Sequence, residues 1–190
     1  MFETYLIDAH HFIDEVQIHI FDGDTSKIRS YRASIFLTSS ALEAFINYIG
    51  ETFKENTQLT LHERDFLNDI QTEVNAKDGT LKKKEKYQSL ENKIRFLIAK
   101  FGIEFDYLNS PNWSQFKEFK IFRDQLVHPR EEANDFVIAD YKKHAERGLK
   151  VTIALIDTLL VGIFSKNLRI QVLELSNVEP CKIATNRNVC

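Results

Sequence analysis

Glycine, proline and cysteine are scarce in this chain of 190 residues, which contains 6 glycines, 3 prolines and 2 cysteines. An all-β fold needs many more turn residues, so the scarcity of glycine and proline favours helices. Both cysteines, Cys181 and Cys190, lie close to the end of the sequence. They provide neither a disulfide framework nor the ligand spacing of a zinc site. We therefore expect no metal and no cofactor.

Long apolar runs and a strong excess of one charge are also missing. The longest apolar stretch, Val151 to Phe164, is short for a membrane span and contains Asp157. The segment Met1 to Tyr5 lacks the basic and apolar regions of a signal peptide. A net charge of −3 argues against a broad basic surface, although it leaves room for a local phosphate site. These features predict a cytoplasmic protein with no membrane partner.

Apolar residues at helical spacing are abundant. One such series consists of Ile28, Tyr31, Ile35, Leu42, Phe45 and Ile49. The same periodicity predicts helices over residues 2–21, about 26–54, 61–74, 82–101, 113–128 and 139–165. We therefore predict an all-α helical bundle of about five to six helices in one domain, residues 1–165. A C-terminal tail, residues 166–190, follows, and residues 170–175 within it are a candidate strand.

Arg123, Asp124 and His128 form the most informative motif of the sequence. Metal-independent RNA cleavage needs a base for the 2′-hydroxyl proton, an acid for the leaving 5′-oxygen and a cation for the phosphate. Histidine suits the proton transfers because its reference pKa, about 6.5, lies near working pH. Arginine suits the phosphate because its planar guanidinium matches two phosphate oxygens. The three residues are therefore candidate catalytic residues.

Pro129 predicts that the helix carrying this motif ends at His128, because a residue before proline is pushed out of the helical region. Residues five apart on a helix are about 140° apart around its axis. Arg123 and His128 therefore do not converge on one atom within a single helix. A composite site, with the motif contributed twice across a two-fold dimer, is a natural solution.

The spacing of Arg123, Asp124 and His128 in an all-helical chain resembles the HEPN superfamily (higher eukaryotes and prokaryotes nucleotide-binding). The hallmark of that family is an arginine, four to six residues and a histidine, commonly with Asn, Asp or His directly after the arginine. The segment Ser40 to Asn47 is also similar to a helix of family members. The resemblance spans most of residues 1–165.

This resemblance implies a homodimer whose two motifs meet at the interface, and it implies RNA as the partner. Many members are metal-independent endoribonucleases of toxin–antitoxin, abortive-infection or other prokaryotic defence systems, so an antitoxin is a further expected partner. Others are inactive and serve as RNA-binding, nucleotide-binding or assembly modules. One toxin branch has a tyrosine two residues after the histidine, which a partner enzyme adenylylates. Arg130 occupies that position here, so we expect a phosphate contact from Arg130 instead.

Structural interpretations of the motif stay open beside the catalytic one. Arg123 can pair with Asp124, with Glu118 or with a neighbouring helix, and His128 can cap helix carbonyls. Asp124 can orient Arg123 or His128 across a dimer, or it can be a solvated helix residue.

Two groups of lysines are weaker candidates for RNA contacts. Lys142 and Lys143 follow the motif after a short connection and are candidate phosphate-binding residues. The run from Lys82 to Lys86 can steer RNA towards a dimer groove, but a solvated helix start is the favoured interpretation.

Two pairs on the first helix, His10 with Asp14 and His11 with Glu15, have a spacing that can hold a metal. Neither pair has a visible third ligand, so a solvated face is favoured. Asp157 lies within an apolar helix and needs a partner, because burying a lone charge is costly. A structural salt bridge is the expected one.

Overall fold

The computed structural model describes residues 1–18, 24–128 and 136–182, and every structural statement below concerns these ranges. They contain seven helices and one two-stranded sheet. The helices are α1 (Phe2–Ile18), α2 (Asp24–Thr52), α3 (Leu61–Leu67), α4 (Leu90–Lys100), α5 (Pro111–Val127), α6 (Ile138–Phe164) and α7 (Ile170–Glu174). The strands are β1 (Ile70–Val74) and β2 (Leu81–Glu85). The prediction of an all-α bundle is confirmed.

The two longest helices, α2 and α6, pack against each other, with α1 on both and α5 on α6. The apolar series predicted for the second helix supplies much of this core, since Ile35, Leu42 and Phe45 are at most 1% exposed. Burying a side chain of this size stabilises the fold by about 1.5–3 kcal/mol. No helix of the described residues is long and apolar enough to cross a membrane.

Both ends of α5 follow from local sequence. Ser110 begins the helix, because its hydroxyl accepts a hydrogen bond from the Trp113 N–H (3.3 Å) and Pro111 occupies the first turn. The helix ends at Val127, and the backbone N–H of His128 donates to the Asp124 carbonyl (2.9 Å). The predicted helix end next to Pro129 is confirmed.

The predictions for residues 61–74 and 82–101 are partly wrong, because a β-hairpin lies between α3 and α4. The helix that begins at Leu61 stops at Leu67, and Asp69 then takes a left-handed conformation with φ of +57°. Strands β1 and β2 pair antiparallel, with Ile70 opposite Glu85 and Val74 opposite Leu81. The lysine run from Lys82 therefore lies on a strand and not at a helix start.

Asp69 ties the base of this hairpin to α4. Its carboxylate accepts from the Gln88 N–H (2.7 Å) and from the Lys93 ammonium (2.7 Å), and its carbonyl accepts from the Lys86 N–H (2.7 Å). Lys93 is only 4% exposed, whereas the Asp69 side chain is 33% exposed, so the ion pair has one buried and one accessible partner. The hairpin thus has a fixed attachment beside α4, and the helix predicted to contain Tyr87 begins only at Leu90.

The C-terminal segment returns to the bundle, where Asp157 of α6 holds it. The candidate strand at residues 170–175 is wrong, since this stretch forms α7, whose Val172 and Leu173 are buried. The expected salt bridge of Asp157 is also wrong. Its carboxylate accepts hydrogen bonds from the backbone N–H groups of Leu168 (2.7 Å) and Cys181 (2.8 Å) instead.

Candidate functional site

Arg123 lies where α5 packs beside α2, and two carboxylates fix its guanidinium. One terminal nitrogen donates to Oε1 of Glu43 on α2 (3.0 Å), and the other donates to Oδ1 of Asp124 (2.9 Å). The Arg123 side chain is 29% exposed, so solvent still reaches it. Arg123 therefore does pair with Asp124 and a neighbouring helix, as one structural interpretation held, while keeping an accessible face.

Asp124 joins a second cation to this group. Lys120, one turn earlier on α5, donates to Oδ2 of Asp124 (3.0 Å). Burial raises the pKa of Asp124, but the hydrogen bonds from Lys120 and Arg123 outweigh that effect, so the net shift is downwards. The carboxylate therefore stays ionised at neutral pH and can hold Arg123 in one orientation.

Two adjoining cavities, of about 220 Å³ and 320 Å³, lie beside this charged group. Both are lined by Arg123, Glu43, Tyr87 and Leu90. The smaller cavity has an apolar floor made of Leu42, Phe116 and Phe119, with Ser39, Ser89, Lys120 and Asp124 as its polar lining. Apolar walls with a few placed polar groups are typical of small-molecule sites.

His128 lies apart from these cavities within one chain. Its side chain is exposed at the end of α5, and it forms no hydrogen bond or ion pair with another described residue. It is not among the residues that line either cavity beside Arg123. The structure thus brings Arg123 and Asp124 together and does not bring His128 to them within the described chain.

The three candidate phosphate-binding residues also lie outside these cavities or outside the described ranges. Lys142 is exposed and lies 3.9 Å from Glu146, a loose pair on the surface of α6. Lys143 is exposed as well. Arg130 falls outside the described residues. Phosphate contacts from these three remain predictions.

His144, the next residue on α6, packs on α5. Its ring stacks on Phe122, with the ring centroids 4.1 Å apart and an angle of 12° between the planes. Burial is the main cause that lowers the pKa of His144, and the nearby Lys143 lowers it further. The stacked imidazole is therefore neutral at pH 7 and belongs to the packing between the two helices.

Sequence reasoning did not single out Glu43, Lys120 or Tyr87 as site residues. The Lys120 and Asp124 pair has a visible signal, since opposite charges four apart on a helix face each other. No sequence signal marks Glu43, because Glu43 and Arg123 are 80 positions apart in the chain. Tyr87 falls within the helix predicted over residues 82–101, whereas in the structure it precedes α4 and is 80% exposed at the rim of the cavities.

The histidine pairs of α1 form without a third ligand. Nδ1 of His10 lies 3.0 Å from Asp14, and Nε2 of His11 lies 3.6 Å from Glu15. In the described part of the chain, no group of three or more His, Cys, Asp or Glu residues is arranged to hold a metal ion.

Comparisons with known proteins identify no relative of this chain. No protein-family model matches the chain, and no curated protein or solved structure matches it either. The structure defines the class as an all-α bundle with an inserted β-hairpin and a charged group beside two cavities. Any assignment of function therefore depends on the geometry of that group.

Proposed function

We propose that this protein is a metal-independent endoribonuclease of the HEPN type, acting in a prokaryotic toxin–antitoxin or other defence system. Its site would combine Arg123 and Asp124 of one subunit with His128 of the other subunit of a homodimer. One observation carries the proposal. A guanidinium with fixed orientation faces two cavities, while an imidazole without a described partner lies exposed at the end of the same helix.

Phosphate binding by Arg123 is compatible with the contacts it already makes. A guanidinium has five N–H donors, and the hydrogen bonds to Glu43 and Asp124 use one on each terminal nitrogen. The remaining donors can hold phosphate oxygens without loss of either carboxylate. Asp124 acts as a positioning residue, because it fixes the plane of the guanidinium.

The reaction would proceed by transfer within the RNA. The 2′-oxygen attacks the adjacent phosphorus, its proton goes to a histidine, and the bond from phosphorus to the 5′-oxygen breaks. The leaving 5′-oxygen takes a proton, so the products are a 2′,3′-cyclic phosphate and a 5′-hydroxyl. Arg123 stabilises the extra negative charge on the phosphate, and His128 transfers the protons.

Cleavage of RNA in EDTA tests the proposal. Wild type should release cyclic-phosphate ends, and His128→Ala should slow this by at least about a hundredfold, the usual contribution of a general acid or base. His62→Ala is the matched control, because His62 is an exposed histidine on α3 that lines neither cavity beside Arg123. Equal rates for wild type and His128→Ala, with both folded, would remove His128 from the reaction.

Mixing two inactive variants tests the composite site. A heterodimer of Arg123→Ala with His128→Ala contains one intact site if the arginine and histidine come from different subunits. After random exchange of subunits, about a quarter of the wild-type activity should return. No recovery, with subunit exchange confirmed, would place both groups in one subunit or deny the dimer.

The ion pair between Arg123 and Glu43 favours a second candidate, a catalytically inactive module that binds RNA or a nucleotide or assembles with other proteins. In that case Arg123 has a structural role at the junction of α5 and α2. Such a protein would bind its ligand in the cleavage assay and release no cyclic-phosphate ends.

A further inference from the structure

The outward face of the β-hairpin carries a row of three lysines. Side chains alternate along a strand, so Lys82 and Lys84 of β2 share one face. Lys86 directly follows β2, and its N–H donates to the Asp69 carbonyl, so the same alternation would place its side chain beside those of Lys82 and Lys84. All three side chains are exposed, and successive ones are about 7 Å apart along the strand. We call these three residues the lysine row.

The charge of the lysine row is only partly balanced by nearby carboxylates. Glu73 of β1 lies 3.6 Å from Lys82 and 3.9 Å from Lys84. Lys86 makes no ion pair with another described residue. Lys83 is on the opposite face, where it pairs with Asp65 of α3 (2.8 Å). Two of the three lysines therefore share one glutamate and the third has none, so the outward face keeps a positive charge.

The lysine row ends at the cavities beside Arg123. Lys86 stands opposite Asp69 at the base of the hairpin, and Asp69 and Tyr87 both line the larger cavity. Tyr87, directly after Lys86, lines both cavities and is 80% exposed. A positively charged strand thus leads to an exposed aromatic ring at the rim of the site.

A single-stranded RNA fits this arrangement better than other polyanions do. Its phosphates repeat along an extended backbone, as the lysines do, and its bases can stack on an aromatic ring. An acidic peptide offers Tyr87 no planar base, and a membrane surface cannot enter the cavities. Lysines on an edge strand also prevent pairing with other chains, so only a binding measurement separates the two roles.

We propose that the lysine row binds the phosphates of single-stranded RNA and that Tyr87 stacks on a base of the nucleotide entering the cavities. Only the end point of this path, a scissile phosphate at Arg123, rests on the proposed nuclease function. Binding along the row needs no cleavage. The two proposals can therefore fail separately.

The test is fluorescence anisotropy with a labelled 2′-O-methyl uridine oligonucleotide of about 20 nucleotides, which is longer than typical single-strand binding sites of about 4–16 nucleotides. This RNA has no free 2′-hydroxyl to attack the phosphate, so wild type can be used. Replacing Lys82, Lys84 and Lys86 together with Gln should lower the slope of log affinity against log salt by about 2. Affinity in about 0.1 M salt should fall ten- to a hundredfold.

The matched control is the triple change of Lys150, Lys166 and Lys182 to Gln, which removes the same charge from three exposed lysines elsewhere. It should leave the affinity and the salt slope close to those of wild type. Tyr87→Ala should weaken binding about tenfold with the slope unchanged, and Tyr87→Phe should bind as wild type does.

Equal salt slopes and affinities for the two triple variants would overturn the proposal. Binding of phosphatidylserine vesicles through the lysine row, without any effect of the row on RNA, would also overturn it and assign a membrane surface. Unmodified RNA that binds through the row and is not cleaved in EDTA would support this proposal and refute the nuclease.

Discussion

Replacing Asp157 with alanine should detach the C-terminal segment from the bundle. The Asp157 residue is 0% exposed, and its carboxylate accepts from the backbone N–H groups of Leu168 (2.7 Å) and Cys181 (2.8 Å). The Asn167 side chain also donates to it (3.2 Å), but that amide keeps a second partner in the Cys181 carbonyl (2.9 Å). The substitution therefore leaves two backbone donors without an acceptor.

The expected cost follows from these two donors. A buried N–H left unsatisfied costs about 1–3 kcal/mol; because Leu168 is buried and Cys181 half-buried, the free energy of unfolding should fall by about 2–4 kcal/mol. For a chain of this size, the melting temperature should drop by about 10 °C. Asp157→Asn keeps one oxygen acceptor in the same shape, and its cost should be about half as large.

Urea unfolding followed by circular dichroism measures the loss, and hydrogen exchange locates it. The amides of Leu168 and Cys181 should exchange faster in Asp157→Ala, while those of the α2 core stay protected. Asp8→Ala is a matched control, because Asp8 is an exposed aspartate of α1 whose carboxylate makes no hydrogen bond or ion pair with another described residue. A loss below about 1 kcal/mol for Asp157→Ala, with exchange unchanged, would refute the role of its carboxylate as the anchor.

Two further predictions concern the packing of α5 against α6. Gly148→Ala should destabilise the fold by about 1–3 kcal/mol, because the new methyl group would lie 2.2 Å from the Phe119 ring. The melting temperature measures this loss, and an unchanged melting temperature would contradict the close approach of the two helices. Burial is the main cause that lowers the pKa of His144 in the folded protein. As the pH drops below about 6.5, the unfolded chain therefore binds more protons than the folded protein does. The free energy of unfolding should fall as the pH drops from 7 to 5. Urea unfolding at each pH measures this fall as a shift of the midpoint. His144→Gln should reduce the shift, whereas His62→Gln should preserve it. Equal pH dependence in wild type and both variants would show that His144 is not the group responsible.

The long helices could be predicted from the sequence because their apolar spacing and their end signals agree. Trp113, Phe116, Phe119 and Phe122 recur at helical spacing and are all buried. Ser110 and Pro129 mark the two ends of the same helix. Where periodicity and capping residues point to one structure, packing has no reason to overrule them.

The hairpin could not be predicted in the same way, because its second strand is made of residues that strands usually lack. Lysine and glutamate are depleted in strands, and the run from Lys82 to Glu85 shows no apolar alternation. Tertiary contacts stabilise it instead. The Lys83 pair with Asp65 and the Asp69 contacts to Lys93 join residues 18 and 24 positions apart, which no local pattern reveals.

The candidate site shows the same division between local and distant signals. The motif of Arg123, Asp124 and His128 is visible in the sequence, and so is the helix end that exposes the histidine. The sequence does not reveal which residue of another helix pairs with Arg123. Glu43 contacts Arg123 only because α2 and α5 pack side by side, so its part in the site follows from the fold alone.

The attachment of the hairpin at Asp69 has a mechanical consequence. Each strand has five residues, so the tip lies about 17 Å from the base. If the hairpin pivots at its base by about 10°, the tip moves about 3 Å while residues at the pivot hardly move. Tyr87 follows directly after that pivot, where Asp69 binds Gln88 and Lys93. Motion of the hairpin tip, which the Lys83 pair with Asp65 also restrains, is therefore isolated from the rim of the cavities.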